Sequence, residues 1–141
     1  MKMDGEYTLP TNVENVWNKL NDPLVLKNSI PGCTELTKEN DNEFKATVTI
    51  KIGPVSAKFN GEVKLSNIKV YQGYTISGSG KGGAAGFAKG SANINLEKQE
   101  NSTILKYSVE AQIGGKLAQL GSRLIDSTSK KLAGKFFDNF V

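Results

Sequence analysis

From Cys33 onward the chain alternates apolar and polar residues for about eighty positions, a pattern that only an antiparallel sheet with one greasy and one wet face can satisfy. Phe44, Ala46, Val48, Ile50 and Ile52 alternate with Lys45, Thr47, Thr49 and Lys51, and Gly53-Pro54 breaks that run. Val55, Ala57, Phe59, Gly61, Val63 and Leu65 then oppose Ser56, Lys58, Asn60, Glu62 and Lys64. Tyr74 and Ile76, a glycine-rich bend, Ala92 with Ile94 and Leu96, and finally Leu105, Tyr107, Val109, Ala111 and Ile113 continue the apolar side. A short strand over 34–38 and an N-terminal one over 2–9, with Met3, Gly5, Tyr7 and Leu9 on one side, bring the expected number to seven.

An apolar sheet face this wide must be covered. The only stretch long enough is 114–140, where Leu117, Leu120, Leu124, Ile125, Leu132 and Phe136 recur at helical spacing and Gln119, Arg123, Asp126 and Lys130 fall opposite. Read as one helix, it would be about 40 Å long. Thr11 and Glu14 read as a capping box for a short helix over 12–20, and Asp22-Pro23 opens a second that Pro31-Gly32 stops. The expectation is an α+β helix grip: a curved seven-stranded antiparallel sheet wrapped around a long C-terminal helix, with two short helices after the first strand, all in one domain over residues 1–141.

Composition removes several functions. Histidine is absent and Cys33 is the single cysteine, so the commonest general base and the usual zinc, haem and Cys-His sets are lost together, and no disulfide framework can form. No metal site and no catalytic residue are assigned. The net charge of +4 rests on lysines spread along the chain rather than gathered in a block, which predicts a solvated surface and no nucleic-acid partner. No apolar run reaches the length of a membrane span, and the acidic N-terminus does not resemble a signal peptide, so a cytoplasmic protein is expected. Gly78, Gly80 and Gly83 match G-x-G-x-x-G literally, but the chain continues into another antiparallel strand where a dinucleotide fold needs a helix. The triplet Asn101-Ser102-Thr103 is a glycosylation sequon in form only.

In an antiparallel meander the connections sort into two ends. One end carries the turns KENDNE, SNIKVYQG and EKQENS, which are largely polar. The other carries IPGC (30–33), GPV (53–55), GKGGAAGF (80–87) and GGKL (114–117), which are pliable and weakly polar. These loops are expected to form a mouth over a gap between helix and sheet, although glycine serving tight turns accounts for the same composition. Small residues at Ala46, Ala57, Gly61, Gly78, Ala85, Ala92 and Ala111, with Gly121 on the helix, leave room for a cavity or else for close helix-to-sheet contact. The candidate lining is Ile30, Pro31, Ala57, Phe59, Tyr74, Phe87, Leu117, Leu120, Gly121 and Leu124, with Phe87 as the gate. Gly32, Cys33, Gly53, Pro54, Gly82, Gly83, Gly86 and Gly115 are the candidate mouth and docking residues. Tyr7, Tyr74 and Tyr107 are the side chains a catalytic reading would have to use.

The blocks VWNKLNDPLVLKNSIPGC, ATVTIKIGPVSAKFNGEV, YTISGSGKGGAAGFAKGSA and EAQIGGKLAQLGSRLID, in that order and spacing, resemble the family of the carbon monoxide dehydrogenase G subunit, a branch of the START-like, polyketide-cyclase-like superfamily. The resemblance implies a helix-grip fold with a hydrophobic cavity for a quinone or lipid-like molecule. It also implies an accessory, non-catalytic role beside a molybdenum-containing carbon monoxide dehydrogenase or related hydroxylase, bringing that enzyme to the cytoplasmic membrane. Longer relatives continue into an apolar tail whereas this chain stops at FFDNFV, so membrane contact is expected to be peripheral or made through a partner. A cyclase- or hydrolase-type enzyme using the same cavity and a pure protein-docking module are the alternatives.

Overall fold

The computed structural model describes residues 1–141. Seven strands, β1 (Lys2–Leu9), β2 (Cys33–Asn40), β3 (Glu43–Ile52), β4 (Val55–Lys69), β5 (Gly73–Lys81), β6 (Phe87–Lys98) and β7 (Thr103–Gly114), form one antiparallel sheet in the order β1-β7-β6-β5-β4-β3-β2. The alternation read from the sequence is the alternation observed: along β4, Lys58, Asn60, Glu62 and Lys64 are exposed while Phe59 and Leu65 are buried. The strands run longer than expected. β4 continues to Lys69 and β6 begins at Phe87, so most of the glycine-rich bend is strand and only Gly82–Gly86 turns.

Between β1 and β2 lie α1 (Val13–Leu20) and α2 (Pro23–Ser29). The cap of α1 is Asn12, whose side chain accepts from the Asn15 N–H at 2.8 Å, so the expected Thr11–Glu14 box is displaced by one residue. Thr11 instead accepts from the Asn15 side-chain amide at 2.9 Å. Asp22 caps α2 as expected, accepting from the Leu24 N–H at 2.9 Å. Asn12→Ala should therefore cost about 1 kcal/mol in denaturant unfolding while Thr11→Ala costs less; the reverse order would restore Thr11 as the cap.

The C-terminal element corrects the single long helix expected over 114–140. β7 runs to Gly114, a 3-10 turn occupies Gly115–Leu120, and α3 begins only at Ser122 and ends at Phe140. At 19 residues α3 is about 28 Å long. The break follows from backbone sterics: Gly115 and Gly121 have φ of +76° and +90°, a left-handed conformation that ends any α-helix passing through it. Leu117 and Leu120 consequently leave the helical stripe and sit on the 3-10 turn.

The main core is a cluster of 12 buried residues at the end where α1 packs, including Leu9, Val16, Trp17, Leu105, Phe137 and Phe140. Tyr7 stacks on Phe137 with ring centroids 4.1 Å apart, tying β1 to α3. Lys19 lies over the Phe140 ring at 4.7 Å and donates to the Phe140 carbonyl, fixing the last turn of α3 to α1.

Candidate ligand site between sheet and helix

The apolar side chains of the inner sheet face do not form one continuous core. Besides the main cluster there is a second, at the opposite end, of Phe59, Ala85 and Leu117, against which Ile50, Ile52, Val55, Ala57, Ile113 and Leu120 pack. Ala46, Val48, Gly61, Gly78, Ala92, Val109 and Ala111 belong to neither, and all are half-buried. A row of mostly small residues crosses this middle band, since Val63, Gly78, Gly90 and Ala111 pair across four adjacent strands. The inner face thus has two packed ends joined by a half-buried centre. A guest seated there would remove apolar surface from water, worth about 25 cal/mol per Å².

The second cluster is held by two 3-10 turns, Gly83–Ala85 and Gly115–Leu120, that touch each other through glycines. A Cβ on Gly115 would lie 2.5 Å from the Gly86 Cα, and one on Gly86 2.0 Å from the Gly114 carbonyl oxygen, so only hydrogen atoms fit between the two backbones. The Phe59 ring covers Gly82, and the Phe87 ring covers Gly114 while remaining 42% exposed. Gly32 meets the Thr49 backbone and its carbonyl accepts from the Thr49 N–H at 2.9 Å. Gly53, on the exposed turn with Pro54, faces Leu124 of α3, whose Cδ2 lies 3.1 Å from where a Cβ would be. Gly83 and Gly121 face open space. Ile30 and Pro31 are half-buried at the exit of α2. Cys33 donates to the Glu35 carbonyl at 3.3 Å, and burial pushes its thiol up. Alkylation of Cys33 by iodoacetamide at pH 8 should accordingly run severalfold slower than that of a free cysteine; equal rates would mean the loop opens freely.

Tyr74 is not with the other candidates. It lies in the main cluster, edge-on to Trp17 at 5.6 Å, where burial holds its hydroxyl far above the ordinary range. Tyr7 and Tyr107 pack against the same main cluster, half-buried, with rings 6.3 Å apart and the Tyr107 hydroxyl over Gly5. Burial, then the neighbouring Tyr7 and Asp4, raise the Tyr107 phenol. At neutral pH such a phenol donates a hydrogen bond and does not act as a base. Ile125, on the apolar stripe read from the sequence, is buried on α3, whereas sequence reasoning misses Phe137, which stacks on Tyr7. The segment SNIKVYQG, a largely polar turn by its sequence, leaves Ile68, Val70 and Tyr71 exposed.

A shallow trough of about 850 Å³ crosses the outer face of the sheet, lined by Ser77, Ser79 and Ser91 between the ion pairs Lys2–Glu110 and Lys45–Glu62, and the row of Val63, Gly78, Gly90 and Ala111 borders it as well. Its charged side chains are well solvated, 59–80% exposed, and suit water rather than an apolar guest, so the candidate site is on the inner face. No group of three His, Cys, Asp or Glu side chains converges anywhere. No helix is long and apolar enough to cross a membrane.

The sequence model of the family described as the G subunit of carbon monoxide dehydrogenase (CoxG) matches residues 5–141. Among solved structures, a conserved protein from Geobacillus kaustophilus is 32% identical, with 99% of this chain and 92% of that one covered and a TM-score of 0.93. A START superfamily protein from Mycobacterium smegmatis superposes with a TM-score of 0.69 at 13% identity, covering 99% and 96%. The Zhui aromatase/cyclase from Streptomyces sp. R1128 does so at 0.66 and 9% identity, covering 99% and 90%, a likeness of fold alone. No curated protein matches the chain.

Proposed function

The chain belongs to the CoxG family, that of the carbon monoxide dehydrogenase G subunit, and from that premise we propose that it is a non-catalytic accessory protein carrying a lipid- or quinone-like guest between its sheet and α3. A ligand-binding accessory role in general is what family and fold support. The observation that supports the finer reading is the half-buried band of small and apolar residues between two separate buried clusters, closed at one end by turns that hinge on glycine. Tyr7 and Tyr107 supply hydroxyl donors suited to a carbonyl oxygen of the guest. The partner in this reading is a molybdenum-containing carbon monoxide dehydrogenase or related hydroxylase, met in the cytoplasm or at the inner face of the membrane.

Organic extraction of the purified protein followed by mass spectrometry should recover a co-purifying apolar molecule in near-stoichiometric amount. Recovery of none, from protein purified without detergent, would count decisively against carriage. Ala57→Leu, which adds bulk to the second cluster where it borders the middle band, should lower retention by roughly tenfold while costing about 1–3 kcal/mol of stability. Pull-down of the dehydrogenase subunits with wild type and Phe87→Asp separates carriage from docking, because a docking module would lose its partner and keep any guest.

A further inference from the structure

The β4–β5 hairpin departs from the pattern that the rest of the sheet follows. β3 starts at Glu43, opposite Lys64, so the end of β4 stands out beyond it, and alternation stops there: Ser66, Asn67, Ile68 and Lys69 are all exposed. The turn that follows adds Val70 and Tyr71 to the surface, and Leu24 joins them at the start of α2. Tyr71 meets Trp17 edge-on at 6.3 Å, and the Trp17 carbonyl accepts from the Asn21 side chain at the corner between α1 and α2. One end of the molecule thus carries four large apolar side chains that are 40% to 64% exposed, a grouping that marks interaction surfaces. The backbone is strained at the same place. Asn67 and Tyr71 have φ of +51° and +65°, a left-handed conformation that asparagine tolerates and that costs an aromatic residue energy.

The charges beside this patch complement one another without pairing. Lys69 stands between Ile68 and Val70 and belongs to none of the ion pairs. Against the base of the hairpin lies the β2–β3 turn, whose Asn42 carbonyl accepts from the Leu65 N–H at 2.7 Å. Lys38 of that turn is spent on the Asn21 carbonyl and the Phe44 ring, and Glu43 lies across from Lys64, which leaves Glu39 and Asp41 without a cation. Lys98 and Glu100, around the β6–β7 turn, contribute one charge of each sign. We propose that this end of the molecule is the contact of a two-fold dimer and that its occupant is a second copy of this chain. The hairpins lay Ile68, Val70 and Tyr71 against each other, and each Lys69 is set beside Glu39 and Asp41 of the partner subunit. A two-fold contact uses the same surface twice and must therefore be its own complement, which an apolar patch carrying both a free cation and free acids is. The inference goes beyond carriage and requires no guest. Because the hairpin and the glycine turns lie at opposite ends of the sheet, such a dimer leaves both sets of glycine turns facing outward.

Sedimentation equilibrium over about 5 to 300 µM protein tests it, since a contact at the small end of the interface range gives a dissociation constant on the order of 10–100 µM. Wild-type average mass should rise from that of a monomer toward that of a dimer. Val70→Ser, Tyr71→Asn, which removes the apolar tip and puts at 71 a residue that accepts the backbone, should dissociate roughly tenfold or more readily. Lys69→Glu and the pair Glu39→Lys, Asp41→Lys should each weaken the dimer about tenfold, because every contact occurs twice, and the three together should return to within about threefold of wild type. Wild type that stays monomeric throughout would overturn the proposal. So would a dimer that the tip variant leaves intact, which would be assembled through another surface, or a charge swap that fails to restore association. A monomeric wild type that loses the dehydrogenase subunits in pull-down on Val70→Ser, Tyr71→Asn would give the patch to that partner and overturn it as well. Should the tip variant fail to fold, the charge swap decides alone. Dimerisation of protein that yields no extracted guest would keep this inference and sink carriage; a guest recovered from a strict monomer would do the converse.

Discussion

Phe140→Ala should destabilise the protein by about 3–5 kcal/mol, a large share of the roughly 5–15 kcal/mol that holds a typical domain folded. Phe140 is 2% exposed at the last turn of α3. Its ring stacks with Phe136 at 5.7 Å and meets Phe137 edge-on at 6.5 Å, and Lys19 lies over it. Truncation removes the transfer energy of the ring, leaves a cavity beside Phe137, and frees the end of the helix that α1 holds. Denaturant titration monitored by Trp17, which lies in the same cluster, reads the loss. A cost below about 1 kcal/mol would mean that the end of α3 frays in solution and that the main cluster does not depend on it.

Gly115→Val should have the larger effect on the site and the smaller one on the fold. The new side chain would meet the Gly86 backbone at 2.5 Å and would force a β-branched residue into a φ of +76°. The 3-10 turn over Gly115–Leu120 cannot then rest against Gly82–Gly86, and the cluster of Phe59, Ala85 and Leu117 opens. Dye binding to exposed apolar surface should rise severalfold and a bound guest should escape at least tenfold faster. The transition reported by Trp17 should shift less than in Phe140→Ala, because the two clusters are separate. Retention unchanged in a protein whose second cluster has opened would show that the turn is no barrier to the guest.

The contrast between these substitutions follows the two-ended construction of the inner face. One end is packed by α1, α2 and the aromatic residues of α3 and behaves as an ordinary core. The other is a small plug whose contacts run through glycine backbones, which give close approach but little buried area to hold it shut. Carriage of an apolar molecule needs both properties, a rigid wall and a port of low local stability.

Strand positions and facings were readable from the sequence because alternation is a local property: Phe44 to Ile52 and Val55 to Leu65 must put every second side chain on one side whatever surrounds them. Helix starts at Asn12 and Asp22 were nearly as legible, since a cap acts within three residues. The break between Gly114 and Ser122 was not, because Leu117 and Leu120 keep helical spacing with Leu124 and only the contact of Gly115 with Gly86, far back along the chain, selects a turn there. Nor could the sequence show that Lys27, Lys51, Lys81 and Lys116 come to one end of the sheet. Charge along a chain is one-dimensional, and which residues become neighbours is decided by the folding back of the hairpins. The chain by itself determined a two-faced sheet and the helices that cover it; the tertiary structure alone decided where that cover falls short, because coverage depends on distances between elements that no local pattern encodes.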